Sequence, residues 1–158
     1  MESDKAFYFY ALKVNEITGW PVVFLQDQEK KKTLSISMPK ANALAIFIAL
    51  QLKKCPAQIK PLSQDLFIQL AAFSNVKIQK ITIDDFSPES TYVAKIFLLN
   101  KDKNSPFIIN SSASDAIAIA LRAKVSIWIS SNVISKLPEI DPDAPPFCEI
   151  QEQYFFTP

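Results

Sequence analysis

Two aspartates, one arginine and a set of lysines are the residues best suited to chemistry on an anionic substrate. Asp115 and Arg122 stand seven positions apart in the run 111–124. At ~100° per residue that spacing puts them on one helix face, two turns apart. On one reading Asp115 orients a metal ion or a water while Arg122 meets a phosphate. On the other, the acid stabilises the first turn of its own helix and the base the last. Asp65 follows Ser63, a candidate N-cap; it is either a second carboxylate brought near Asp115 by the fold or a first-turn dipole residue. Asn42 and Gln64 are amides in apolar or capping contexts, where burial usually means a satisfied hydrogen bond or a subunit contact. Lys40, Lys53, Lys54 and Lys60 gather around the ends of one apolar segment and the loop after it. As phosphate contacts they would give binding that falls steeply with salt; as a solvated face they would not. The aromatics of Phe7–Tyr10 could stack bases or fill a core.

Composition removes several alternatives. The 158-residue chain has no histidine, which excludes Ser-His-Asp and Cys-His nucleophile systems and any histidine metal ligand. Cys55 and Cys148 are too few and too far apart for a zinc site or a CxxC pair. Gly19 is the single glycine, so neither a P-loop nor a dinucleotide fingerprint is present. Apolar residues make up 49% and charged residues 21%, enough to bury a real core. The longest apolar run, Ala43–Leu50, is eight residues against the ~20 a bilayer needs. The N-terminus is charged and lacks a signal-peptide apolar region. A soluble, cytoplasmic protein with no membrane partner is the expectation. The net charge of +1 hides an asymmetry: residues 138–158 carry Glu139, Asp141, Asp143, Glu149 and Glu152 without any Lys or Arg, leaving 1–137 at +6. An acidic tail beside a basic body suggests an internal competitor for nucleic acid, or simply two solvated surfaces. The expected division is a domain over 1–137 and an acidic, Pro-rich C-terminal tail over 138–158.

The elements that must position these residues can be read from periodicity. Strands are expected over Ala6–Val14, Pro21–Gln26 and Thr33–Met38. Pro39 suits a first helical position, and Ala41–Lys53 reads as a helix apolar nearly all round, hence buried on more than one side. Ser63–Phe73 is a second helix, with Asn75 as its C-cap. Val76–Ile83 alternates with one slip near Lys80, Thr91–Leu99 and Pro106–Asn110 follow as strands, and Ser111–Lys124 is a third helix with Ser112 and Asp115 in capping-box spacing. Val125–Ile129 is a strand and Ser130–Leu137 a helical turn. Beyond Pro138 four prolines forbid regular structure, although Phe147–Phe156 could dock as an edge strand. The order β-β-β-α-α-β-β-β-α-β-(α) describes an α+β domain with a mixed β-sheet and a few helices.

Three stretches resemble the bifunctional nuclease domain family, also called domain of unknown function 151. Leu34–Ala45 (LSISMPKANALA) is similar to the family's L-P-I-W-I-G-x-x-E-A passage. Lys60–Leu66 (KPLSQDL) is similar to R-P-x-T-H-D-L. Ile109–Arg122 (INSSASDAIAIALR) is similar to I-D-A-R-P-S-D-A-I-A-L-A-L-R. The third block is the specific one, and order and spacing match from about residue 7 to 137. The resemblance implies an α+β domain that assembles as a homo-oligomer, with hydrolysis of DNA or RNA ascribed to some members. It implies catalytic and metal roles for Asp115 and Asp65, with Mg²⁺ or Mn²⁺ as the ion. Arg122, Ser114, Lys40 and Lys60 would then contact nucleic acid.

The departures are as specific as the matches. The family's first-helix glutamate is Asn42 here, its T-H-D histidine is Gln64, and its D-A-R-P becomes Asn110, Ser111, Ser112 and Ala113. Charged groups give way to neutral ones, and an amide neither holds a hard cation by charge nor takes a proton from water. Two functions follow from the residues: a metal-assisted nuclease of low sequence specificity, or a catalytically degenerate scaffold or nucleic-acid-binding module of the same fold.

Overall fold

The computed structural model describes residues 3–51, 61–86 and 91–155. Lys53, Lys54, Cys55 and Lys60 lie outside them, as do residues 87–90. Lys5–Asn15 (β1), Pro21–Asp27 (β2) and Thr33–Ser37 (β3) form an antiparallel meander. Asn15 closes the first turn: its Oδ1 accepts from the Ile17 N–H at 2.9 Å, and Gly19 takes φ 74°. After Pro39 comes the helix Lys40–Leu50 (α1), then Ser63–Phe73 (α2). A second meander follows, Val76–Phe86 (β4), Tyr92–Asn100 (β5) and Ser105–Ser112 (β6). The helix Ala113–Ala123 (α3) returns the chain to Ser126–Ile129 (β7), followed by the short helix Ser131–Ile134 (α4). The chain ends in Phe147–Glu149 (β8) and the 3₁₀ turn Glu152–Phe155.

One mixed sheet holds these strands in the order β3-β2-β1-β7-β4-β5-β6, with β8 also paired to β1. The α+β expectation holds. The strand β7 joins the two meanders, antiparallel to β1 and parallel to β4. The slip near Lys80 is a β-bulge between Ile78 and Lys80. It keeps Ile78, Ile81 and Ile83 on the buried face although their spacing breaks period two.

The helices share one face of the sheet, and α3 packs against both α1 and α2. Ala116, Ile117 and Ala120 of α3 meet Ile46 of α1 and Ile81, Ile96 and Ile129 of the sheet in one core. Small residues on α3 let the helix backbones approach closely, so the polar ends of three helices fall near one another. The α2 cap differs from expectation by one residue. Leu62 is the N-cap, and the Asp65 carboxylate accepts its N–H at 2.8 Å. An acid at the third helical position caps the backbone whatever side chain the cap residue carries. At the other end Ser74 is the C-cap, and Asn75 follows in the left-handed region at φ 57°.

The opposite face of the sheet is half covered. Phe147 packs edge-on against Phe24 at 4.8 Å between ring centres. Asp143 accepts from Tyr10 Oη at 2.6 Å and Lys13 Nζ at 3.0 Å. Phe155 packs on Phe47 of α1, and Tyr154 Oη donates to the Gly19 carbonyl at 2.9 Å. Residues 141–155 are therefore laid along β1, β2 and α1. Of the run expected as an edge strand, Phe147–Glu149 pairs with β1 of its own chain and Glu152–Phe155 turns as a 3₁₀ helix. Among the described residues no helix is long and apolar enough to cross a membrane.

Candidate functional site

The start of α3 is built by its cap. Ser112 sits in extended backbone, and its Oγ accepts the Asp115 N–H at 3.2 Å. The same hydroxyl donates to Asp115 Oδ2 at 2.9 Å. Its single proton is thereby used, so the 3.3 Å contact between Ser112 Oγ and Ser114 Oγ has Ser114 as donor. Ser114 in turn accepts from Asn42 Nδ2 of α1 at 2.9 Å. The other oxygen of Asp115 accepts from Gln64 Nε2 of α2 at 2.8 Å. A directed chain thus runs Asn42 to Ser114 to Ser112 and ends on the Asp115 carboxylate, with Gln64 closing from the far side. Five of the residues singled out in the sequence, two of them directly bonded across 72 positions, belong to one network joining three helices.

Asp65 and Arg122 form a second, separate unit. Arg122 Nε donates to Asp65 Oδ1 at 2.8 Å, and its Nη1 donates to the Ala118 carbonyl at 3.0 Å. The arginine side chain is only 3% exposed. Burial pushes the Asp65 carboxyl up, but the Arg122 hydrogen bond, the Leu62 N–H and the Arg122 charge together hold it below its ordinary value. Arg122 therefore turns inward to tie α3 to α2, and Asp65 answers it.

Beside this polar layer lies an open cleft of about 1240 Å³. It runs between the end of β3 and the β5–β6 hairpin, and Asn42, Asn110, Ser112 and Ser114 all line it. Asn110 stands opposite Lys95 in register; Lys95 lies 3.3 Å from Asp84, and both line the cleft. Lys40 begins α1 but is not among the residues that line the cleft; its Nζ lies 4.4 Å from the centre of the Tyr154 ring. No side chain caps α1 and no acid stands in its first turn, which leaves the positive end of that helix to the cleft. The expected residues thus divide in two. Asn42, Asn110, Ser112 and Ser114 face the cleft, whereas Gln64, Asp65, Asp115 and Arg122 lie behind it.

Sequence reasoning did not find Lys95, Asp84, Ser35 or Ser37, which complete the lining. The hairpin register that sets Lys95 beside Asn110 was the available signal. Ser35 and Ser37 alternate with the buried Leu34 and Ile36, so period two already turned them away from the core.

The donor set decides how well an ion would sit here. Both carboxylates already hold two hydrogen-bond donors each. Among the described residues no group of three or more His, Cys, Asp or Glu gathers as a metal site. Mg²⁺ is usually held by one or two free carboxylates plus substrate phosphates. Asp65 and Asp115 therefore do not fit a dedicated divalent-ion site, and of the two acids that line the cleft, Asp84 and Asp85, the first is answered by Lys95.

Comparison with known proteins agrees with this arrangement of elements. The chain is 27% identical over 132 residues to an uncharacterized protein of Mycobacterium tuberculosis, found in strains CDC 1551 and H37Rv. The match covers 84% of this chain and 75% of that protein. The family model of the bifunctional nuclease domain matches residues 23–140, a span that includes the cleft, the hydrogen-bonded chain onto Asp115 and the Asp65–Arg122 pair. The chain belongs to the bifunctional nuclease domain family.

Proposed function

We propose that this chain is a nucleic-acid-binding member of its family, one that holds a phosphodiester backbone in the cleft without cutting it efficiently. One observation carries the reading: Asp115, the acid of the family motif behind the cleft, is hydrogen-bonded on both oxygens by Ser112 and Gln64, and Asp84, which lines the cleft, is answered by Lys95 at 3.3 Å. Neither Ser112 nor Gln64 can take a proton from a water, so the base that hydrolysis needs would have to be Asp115 itself, with both of its oxygens already engaged. Binding needs less. Amide donors from Asn42 and Asn110 suit phosphate oxygens, and the uncapped start of α1 favours an anion.

The second reading is a nuclease assisted by Mg²⁺ or Mn²⁺. The family match favours it, and so does the half-buried position of Asp115 directly behind two cleft residues. One preparation separates the two readings. Labelled single-stranded DNA, duplex DNA and RNA are incubated with Mg²⁺, Mn²⁺ or chelator, beside the Asp115→Asn variant. The binding reading expects retarded but intact strands under every condition. Cleavage that needs the ion and disappears in Asp115→Asn would replace it with the nuclease reading.

Self-association belongs to the same proposal. Leu66, Leu70 and Phe73 are 58%, 65% and 91% exposed and share one face of α2 at helical spacing. An apolar stripe of that kind is expected to be covered, and a second copy of the chain is the simplest cover.

A further inference from the structure

We infer that the part of the reverse sheet face around Lys80, Phe97 and Trp128 is a stacking platform for single-stranded nucleic acid, one that adjoins the cleft at Lys95 and Asn110. Two adjacent cross-strand rows define it. One row is Ser126, Lys80, Phe97 and Ile108; the next is Ala6, Trp128, Thr82, Lys95 and Asn110. All project opposite to the buried residues Ile81, Ile96 and Ile127. Lys80 Nζ lies 4.9 Å from the centre of the Phe97 ring and 5.6 Å from that of Trp128. A cation held between two part-exposed rings on a flat sheet is the combination that binds single strands: bases stack on the rings and a phosphate meets the ammonium.

Charge points the same way. Lys77 and Lys80 pair with no carboxylate among the described residues, while Lys95 is answered by Asp84. Asp84 and Asp85 stand at the far end of β4 and bound the platform there. Thr82 is a second, independent sign. It is 8% exposed, it sits between Trp128 and Lys95 in its row, and its hydroxyl has no hydrogen-bond partner. A buried hydroxyl without a partner is costly unless something supplies one.

The occupied half of the same face gives the pattern. There the acidic segment lies on Tyr10 and Lys13, with Asp143 accepting from both and Glu149 Oε1 3.6 Å from Lys13 Nζ. An anionic chain thus already rests on aromatic and lysine side chains of β1. The half carrying Lys80, Phe97 and Trp128 has the same chemistry and, among the described residues, no such chain upon it. A flat surface bearing rings suits bases better than it suits a second acidic peptide.

The chain has two tryptophans, so Trp20→Phe leaves Trp128 as the sole reporter. Titrating that variant with oligothymidylate should quench its fluorescence saturably, and added salt should reverse the effect. Lys80→Gln on the same background should weaken binding about tenfold and reduce the logarithmic salt slope by about 0.7. Phe97→Ala should weaken it as well, and a thermal melt of each variant shows that it is folded. Unchanged fluorescence, or equal affinity in folded Lys80→Gln, would overturn the platform. So would quenching produced by raising protein concentration alone, because a second copy would then cover the face. The exposed cleft variant Ser37→Asp, which lies in neither row, separates this site from the cleft. If Ser37→Asp abolishes binding while Trp128 stays silent, the platform fails and the cleft reading stands. If only Lys80→Gln matters, the cleft reading fails and the platform stands.

Discussion

Asp115 and Asp65 illustrate how two acids of similar sequence context come to different states. Each stands in the first turn of a helix, and each accepts a local cap bond. Their second partners differ. Gln64 is neutral, whereas Arg122 is buried and depends on Asp65 for compensation. Removing the arginine head by Arg122→Ala should cost about 2–3 kcal/mol, since a buried pair is broken but Asp65 keeps some contact with water. Urea unfolding of the two proteins at neutral pH measures this. The pair also sets a pH dependence. The folded carboxyl of Asp65 lies below its unfolded value near ~3.9, so its stabilisation is fully present above that value and is lost as pH falls through the folded pKa. The unfolding midpoint should therefore fall more steeply below about pH 4 in the parent than in Asp65→Asn.

At the scale of elements, α3 carries most of the design. Its apolar face of alanines and isoleucines, its cap at Ser112 and its acid at Asp115 were all legible, because each depends on residues within one or two turns. The bulge at Lys80 was legible as a broken alternation for the same reason. The seat of β7 between β1 and β4 was not. Parallel pairing with β4 leaves no turn or register signal in the sequence, and only the crossover through α3 creates it. The Asp65–Arg122 contact spans 57 positions and became visible only once α2 and α3 were packed together. Each of these residues had a satisfactory local account as a helix-end charge, so nothing local called for the other. One local feature of α3 runs against propensity. Lys124 closes the helix in the left-handed region at φ 56°, which is unfavourable for a residue with a Cβ. Lys124→Gly should relieve that and stabilise the fold by about 0.5–1 kcal/mol, net of glycine's greater unfolded freedom. A rise in thermal midpoint is the readout.

For the whole molecule, the C-terminal segment is the part whose role sequence described least well. Its charge suggested a loose shield over a basic body. Two of its carboxylates, Asp143 and Glu149, neutralise one specific lysine: Lys13 is 6% exposed, in a strand built mostly of aromatic and aliphatic residues. Burial pushes the Lys13 amine down, but Asp143 and Glu149 together hold it above its ordinary value, so it stays charged. A lysine can be placed there only because the last part of the chain brings acids to it, and no local pattern around residue 13 announces that. The apolar stripe of α2 raises a different question at this scale, that of assembly. Sedimentation or light scattering should find a concentration-dependent oligomer, and Phe73→Glu, which burdens that stripe with charge but no core contact, should shift it to the monomer. An unaltered mass would remove α2 from the interface.

The claim on which the account turns is that the cleft holds a phosphodiester chain without cutting it. The direct measurement is the rate of strand scission in a saturated complex of this protein with an end-labelled oligonucleotide, with Mn²⁺ present and after chelation. The account predicts the same negligible rate in both, with the complex intact and dissociated by salt. Scission that depends on Mn²⁺ and is abolished by Asp115→Asn would contradict it.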